Sequence, residues 1–167
     1  MRDWFFGLFA LAALGLATAP SHSASDAGPA AKAPLILTVE GQIAGGRVEF
    51  SRADLEAMGL ATIRTATPWH DGVQTFEGVP LAALMDRLAA KGAKAELVAL
   101  NKYRTTIPTE DFGRHQPILA LKRNGNYMEV RDKGPLFVIY PYDAKPELRS
   151  EQYFARSAWQ VRTIIVQ

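Results

Sequence analysis

Tyr140-Pro141-Tyr142-Asp143, then Arg149, Tyr153 and Arg156, then Trp159-Gln160 crowd recognition side chains into the last third of the chain. Tyr and Trp bring flat apolar faces with a polar edge, and Arg adds stacking and hydrogen-bond donors. Asp143 is an acceptor-only carboxylate that can take a pair of N–H groups from a guanidine-like ring edge. As a cluster these parts suit a flat, hydrogen-bonding heteroaromatic such as a pterin. Each also has an ordinary structural role: Trp159 in a core, Arg149 and Arg156 in solvent, Asp143 capping the next helical turn. Tyr103-Arg104 and Trp69 are further candidates for the same ligand.

Other chemistries find little support. The 167 residues include no Cys, which removes thiolate nucleophiles, thiolate metal sites and disulfides together. His22, His70 and His115 stand apart, without HExxH or paired-ligand spacing, so a metal held by the chain is not expected. No GxSxG elbow occurs, and Ser51, Ser150 and Ser157 have no base partner in their motifs. Gly41, Gly45 and Gly46 match neither a P-loop nor GxGxxG. The formal charge is +2, with acids and bases interspersed, and no Lys/Arg stripe of the kind that binds nucleic acid.

The elements that position these residues are legible in outline. With 48% hydrophobic and 22% charged residues, the chain can bury one substantial core. Residues 1–24 read as a signal peptide: Arg2, an apolar or small-residue run over 4–17, then small residues, with cleavage expected between Ser23 and Ala27. The run is short of the about 20 residues a membrane span needs, which favours a cleaved signal over a retained anchor. A periplasmic protein, soluble and not inserted in the membrane after cleavage, is therefore expected. Residues 25–34 read as a flexible leader and 35–167 as a single domain. Strands are expected over 35–39, 47–50, 62–67, 96–100, 103–107, 117–122, 137–140 and 159–166. A hairpin is expected at Asn124-Gly125, returning through 127–130. Ser51 with Asp54 starts a short helix through Met58. Pro80 starts the clearest helix, on which Leu81, Leu84, Met85 and Leu88 share a face. Residues 69–75 read as a polar loop with Trp69 at its mouth, and 147–156 as a helical turn. Strands this close together leave no room for serial βαβ crossovers. The predicted class is α+β, a mixed, largely antiparallel sheet with short helices.

The order of motifs adds a resemblance. Phe76-Glu77-Gly78-Val79-Pro80-Leu81 precedes a Leu-rich helix; Tyr103-Arg104, Ile107-Pro108 and Asp111 precede Leu119-Ala120 and Asn124-Gly125. Lys133-Gly134-Pro135-Leu136, Tyr140-Pro141 and Trp159-Gln160 follow. This order resembles the molybdopterin-binding domain of the sulfite oxidase family in a compact, stand-alone form, over about residues 35–167. Catalytic members of that family carry a molybdenum-ligating Cys just before the corresponding loop, where this chain has Thr65-Ala66-Thr67-Pro68-Trp69, and Thr or Ala cannot replace a soft thiolate. The chain is thus more similar to small periplasmic pterin-binding proteins of the PruR type. That resemblance implies a non-catalytic sensor that binds a simple pterin rather than molybdopterin, with no covalent cofactor. It also implies a partner, the periplasmic domain of an inner-membrane enzyme of cyclic-di-GMP signalling. By the same resemblance Trp159 stacks on the pterin, Asp143 reads its amino-pyrimidine edge, and Arg104, Tyr140 and Arg156 line the pocket. Two other functions compete: a molybdopterin-dependent oxidoreductase or its subunit, and a periplasmic interaction or assembly protein that uses the fold as a surface.

Overall fold

Alternation of side chains across the strands determines where this chain buries itself. The computed structural model describes residues 33–167. The expected signal peptide and residues 25–32 of the expected leader lie outside the described residues, and Ala33 and Pro34 are exposed without regular structure. One five-stranded sheet contains β1 (Leu35–Gly41), β2 (Arg47–Ser51), β5 (Lys94–Ala99), β6 (Arg104–Pro108) and β10 (Val161–Val166), in the order β2-β1-β10-β5-β6. Its β1–β10 pair is parallel, with Thr38 opposite Thr163, and its other pairs are antiparallel. The second sheet runs β3 (Ala61–Thr67), β4 (His70–Pro80), β7 (Ile118–Arg123) and β8 (Asn126–Tyr127), while β9 (Phe137–Ile139) also pairs with β7. Short helices α1 (Arg52–Glu56), α2 (Leu81–Arg87), α3 (Glu110–His115) and α4 (Glu151–Arg156) fill the gaps. The α+β class holds, with the strands divided between two mostly antiparallel sheets. No helix among the described residues is long and apolar enough to cross a membrane.

The division follows from β7 and β9, which are apolar on both faces. Leu119, Leu121 and Val138 face the main core, with Leu37, Leu97 and Ile164 of the first sheet and Leu81, Leu84 and Met85 of α2. Ile118, Ala120, Phe137 and Ile139 face the other way, into a second cluster with Phe76 and Met128. Strands buried on both sides read as continuous apolar runs, because each successive residue meets a different core. Trp69 and Trp159 pack against the second cluster.

Local chemistry accounts for the element ends. Ser51 and Asp54 form a capping box on α1, with Asp54 Oδ2 accepting from the Ser51 backbone at 2.7 Å. Pro80 stands just before α2, whose Leu81, Leu84 and Met85 are buried as their spacing requires. Asn124 and Gly125 both have positive φ (50° and 79°), the pair that a tight hairpin turn needs. Three expectations need correction. Residues 69–75 are not a loop: Thr67 pairs with His70, so Pro68 and Trp69 make the turn and β4 runs from His70. Its polar first half is the exposed end of a hairpin, which mimics loop composition. The strand returning from Gly125 stops at Tyr127, and Val130–Asp132 is a 3-10 turn. Helix α3 was not expected, since its six residues are too few to display a helical period.

Gly78 of β4 packs directly against the backbone of β7. A Cβ there would lie 2.2 Å from the Leu119 carbonyl oxygen and 2.4 Å from Ala120 Cα, both backbone atoms that cannot step aside. A Cβ at helical Gly113 meets nothing within 4 Å. Urea denaturation should show Gly78→Ala destabilised by about 3 kcal/mol or more through forced displacement of β7. Gly113→Ala should be neutral or more stable, by up to about 1 kcal/mol.

Candidate functional site

Trp69, at the turn into β4, is the hub of an aromatic cluster. Its ring meets Phe137 at 5.3 Å, Phe154 at 5.9 Å and Trp159 at 5.9 Å between centroids, each edge to face. The second core cluster supports Trp69 and Trp159 from below. Lys133 places its ammonium 4.9 Å from the Trp159 ring centroid. Above the cluster opens a depression of about 240 Å³, walled by Trp69, Trp159, Phe154 and Tyr103, with Asn101 at the rim. Tyr103 is held there by its hydroxyl, which donates to the Ala155 carbonyl at 3.0 Å. Asn101 accepts the Tyr103 N–H at 3.0 Å, which shapes the turn between β5 and β6.

Of the residues expected to share a pocket, the structure brings Trp69, Tyr103 and Trp159 together. Asp143 lines neither that hollow nor the adjoining depression of about 190 Å³, whose wall is Ala66, Thr67, Pro68, Tyr142, Arg149 and Phe154; it bonds to two of those residues. Phe154 walls both hollows. The Asp143 carboxyl is already engaged: it accepts the Ala66 N–H at 3.0 Å and pairs with the Arg149 guanidinium. Desolvation opposes its ionisation, but the Ala66 N–H and Arg149 outweigh it and hold the carboxyl below the usual range. Its own N–H donates to Thr65 Oγ1 at 3.0 Å, so Asp143 straps the loop after β9 onto β3.

The other three lie elsewhere. Arg104 is exposed on β6 and pairs with Glu96 at 2.9 Å. Tyr140 is fully buried and donates its hydroxyl to Asp111 Oδ2 at 3.0 Å. Burial, and then the Asp111 charge, push that hydroxyl far above the usual tyrosine range. Arg156 turns to the same Asp111 oxygen at 2.7 Å. Tyr140 and Arg156 thus position α4 and line neither hollow. Sequence reasoning missed Phe154 and Asn101. Phe154 stood out only as an apolar residue in a polar stretch, and Asn101 as a turn residue between two strands.

Thr67 Oγ1 and His70 Nδ1 lie 3.0 Å apart, the geometry of a nucleophile and base. His70 Nε2, however, has no partner, so no third group orients the ring. Burial pushes the imidazole down to about 4, and the charges of Arg123 and Lys133 push the same way, which leaves a weak base. At the stretch where the sulfite oxidase resemblance would require a molybdenum ligand, Thr65 is fully buried and its hydroxyl accepts from Asp143 while donating to the Ala66 carbonyl at 3.2 Å. A hydroxyl committed in this way does not fit the ligand position. This chain matches no protein-family model and no curated protein.

Two outcomes follow from these contacts. Asp111→Ala removes both the Tyr140 bond and the ion pair with partly exposed Arg156 and should cost about 2–3 kcal/mol, against about 1–2 kcal/mol for Tyr140→Phe, both read from urea unfolding. His70 stays neutral in the fold while the unfolded chain takes a proton near its ordinary 6.5 and the folded chain only near about 4. Stability should therefore fall as pH drops from 6.5 towards 4 and level off below. His70→Gln should remove that share of the slope when urea midpoints are compared across the window.

Proposed function

We propose that this domain is a periplasmic, non-catalytic sensor of the PruR type that binds a pterin. Its ligand state would pass to the periplasmic part of an inner-membrane enzyme of cyclic-di-GMP signalling. The observation that carries the reading is the hollow between Trp69, Trp159 and Tyr103, whose floor and walls are aromatic and whose rim is polar. A flat ring entering it gains stacking from faces that solvent now covers. Asn101 and the Tyr103 hydroxyl supply edge contacts, in place of the role first expected of Asp143. The order of motifs from Phe76 to Gln160 supports the family assignment, and the donor set at 65–69 argues against a molybdenum centre. The ligand would act by ordering the 101–103 turn and the end of α4, favouring one surface for the partner.

Titration with oxidised and reduced pterins, followed by ligand and tryptophan fluorescence, tests this. Saturable quenching is expected for the wild type. Trp159→Ala and Trp69→Ala should weaken it roughly tenfold or more, in keeping with about 1–3 kcal/mol for a stacked base. Arg104→Ala should bind as the wild type does. Pterin fluorescence that stays unchanged with the wild type and Trp159→Ala alike, at high protein concentration, sinks the proposal.

A further inference from the structure

β3 is the outermost strand of its sheet, with β4 on one side and no strand on the other. Two sets of bonds fix which of its backbone groups face outward. Thr75, opposite Arg64 on β4, directs its N–H to the Asn124 side chain at 2.9 Å, and its carbonyl accepts the Asn124 N–H at 2.7 Å, both on the far side from β3. Arg64 and Thr75 are therefore a non-hydrogen-bonded pair, and Arg64 turns its N–H and C=O away from β4. Ala66, two residues on, gives its N–H outward to Asp143. By the strand's period of two, Thr62 presents its groups outward as well. Asp143 closes the edge at Ala66, and from Arg64 to Thr62 it stands open.

Beside that open stretch lies the largest hollow among those described, about 470 Å³. It touches Ala61, Thr62 and Ile63 in succession. The hollow reaches past the start of β3 to Pro80 of β4 and Ile118 of β7, so it opens at the end of the sheet, beside the first residues of the edge strand. Phe112, Ile118, Pro141 and Ala144 make most of its wall apolar, Lys145 stands at its rim, and no acidic side chain lines it. Arg64 is exposed on the strand beside it.

We infer that the outer edge of β3 is a docking site for an extended segment of a partner protein, which pairs with Thr62 and Arg64 as an added strand. Its inward side chain is apolar and fills the hollow, and its outward neighbours are acidic and face Arg64. Main-chain pairing gives such a contact affinity, and the alternate side chains give it selectivity. Charge decides between occupants. A second copy pairing antiparallel through the same edge would bring two Arg64 side chains together, which is the usual device against self-pairing, while an acidic strand meets complementary charge. The inference stands apart from the pterin reading, because it uses neither tryptophan nor the aromatic hollow.

The test is amide hydrogen exchange by NMR on the purified chain, with and without the acetylated, amidated peptide Glu-Val-Glu-Leu-Glu-Val-Glu. In the free protein the Thr62 and Arg64 amides should exchange quickly while Ile63 and Thr65 are protected. Saturating peptide should slow Thr62 and Arg64 at least tenfold. Thr62→Pro removes one outward donor at a position where an edge strand tolerates proline, and should weaken binding about tenfold, the equivalent of one lost hydrogen bond. Ala144→Trp, on an exposed loop, fills the hollow and should weaken it as much, which keeps the test decisive if Thr62→Pro does not fold. Lys in place of every Glu should abolish binding. The inference is overturned by no binding at millimolar peptide, by binding that neither variant weakens, or by prior protection of Thr62 and Arg64. Protection that rises with protein concentration alone would assign the edge to a second copy and overturn it too.

Discussion

A carboxylate taken out of water must find donors, and the donors that Asp111 finds hold the candidate site in place. Asp111 is almost wholly buried, and its Oδ2 accepts from both the Tyr140 hydroxyl and the Arg156 guanidinium. Helix α4, which carries Arg156, has six residues, buries none of them and has no side-chain cap. A helix so short does not persist on its own. It is fixed by side-chain bonds: Arg156 to Asp111, the Tyr103 hydroxyl to the Ala155 carbonyl, and a 2.5 Å bond between Tyr142 and Ser157 just past its end. Phe154 rides on this helix and divides the two hollows. An ion pair in solvent would contribute little to such an arrangement. With Asp111 almost wholly buried, loss of Arg156 leaves the carboxylate charge without a counter-ion.

The second constraint is the two-sided burial of β7 and β9. One face closes the main core against the first sheet and α2, and the other supports the cluster under Trp69 and Trp159. The aromatic hollow is therefore not a loop feature with room to collapse. Its tryptophans rest on the back of the core strands through Phe137, which contacts Trp69 and Trp159 while pairing with Ala120 of β7. Rigid support of this kind lowers the ordering cost that a flat ligand would otherwise meet on binding.

How much of this was legible in the sequence depends on the range of the signal. Ser51 with Asp54, Pro80 before a Leu-rich turn, and Asn124-Gly125 act within a few residues, and each element they announce is present. The α+β class followed from strand spacing. The polar half of β4 was misread because a solvent-facing hairpin and a loop share a composition, and α3 was not expected because six residues show no period. The site was half legible. Residue type singled out Trp69, Tyr103 and Trp159, but nothing local distinguishes an aromatic that walls a hollow from one such as Tyr140, which is sealed in the core by an acid 29 positions away. Asp143 was singled out for its free acceptors. Those acceptors are taken by Ala66, 77 residues distant, and by Arg149, six residues on, and only the second partner was within reach of a sequence reading.

That same aspartate links the two surfaces. Asp143 caps the β3 edge through Ala66, and it pairs with Arg149, whose side chain lines the hollow that Phe154 shares with the aromatic one. The Arg149 side chain is about half exposed, at 52%, so its pair with Asp143 is screened by water and exchanges at small cost. The Ala66 bond, by contrast, is backed by a second bond from the Asp143 N–H to buried Thr65, which makes the strap firmer than the ion pair. A ligand that displaced Phe154 would reach Arg149 first and the edge only afterwards. Coupling between the two surfaces therefore requires Arg149 to have two stable positions, because contact alone transmits no free energy without an element that both ends bias.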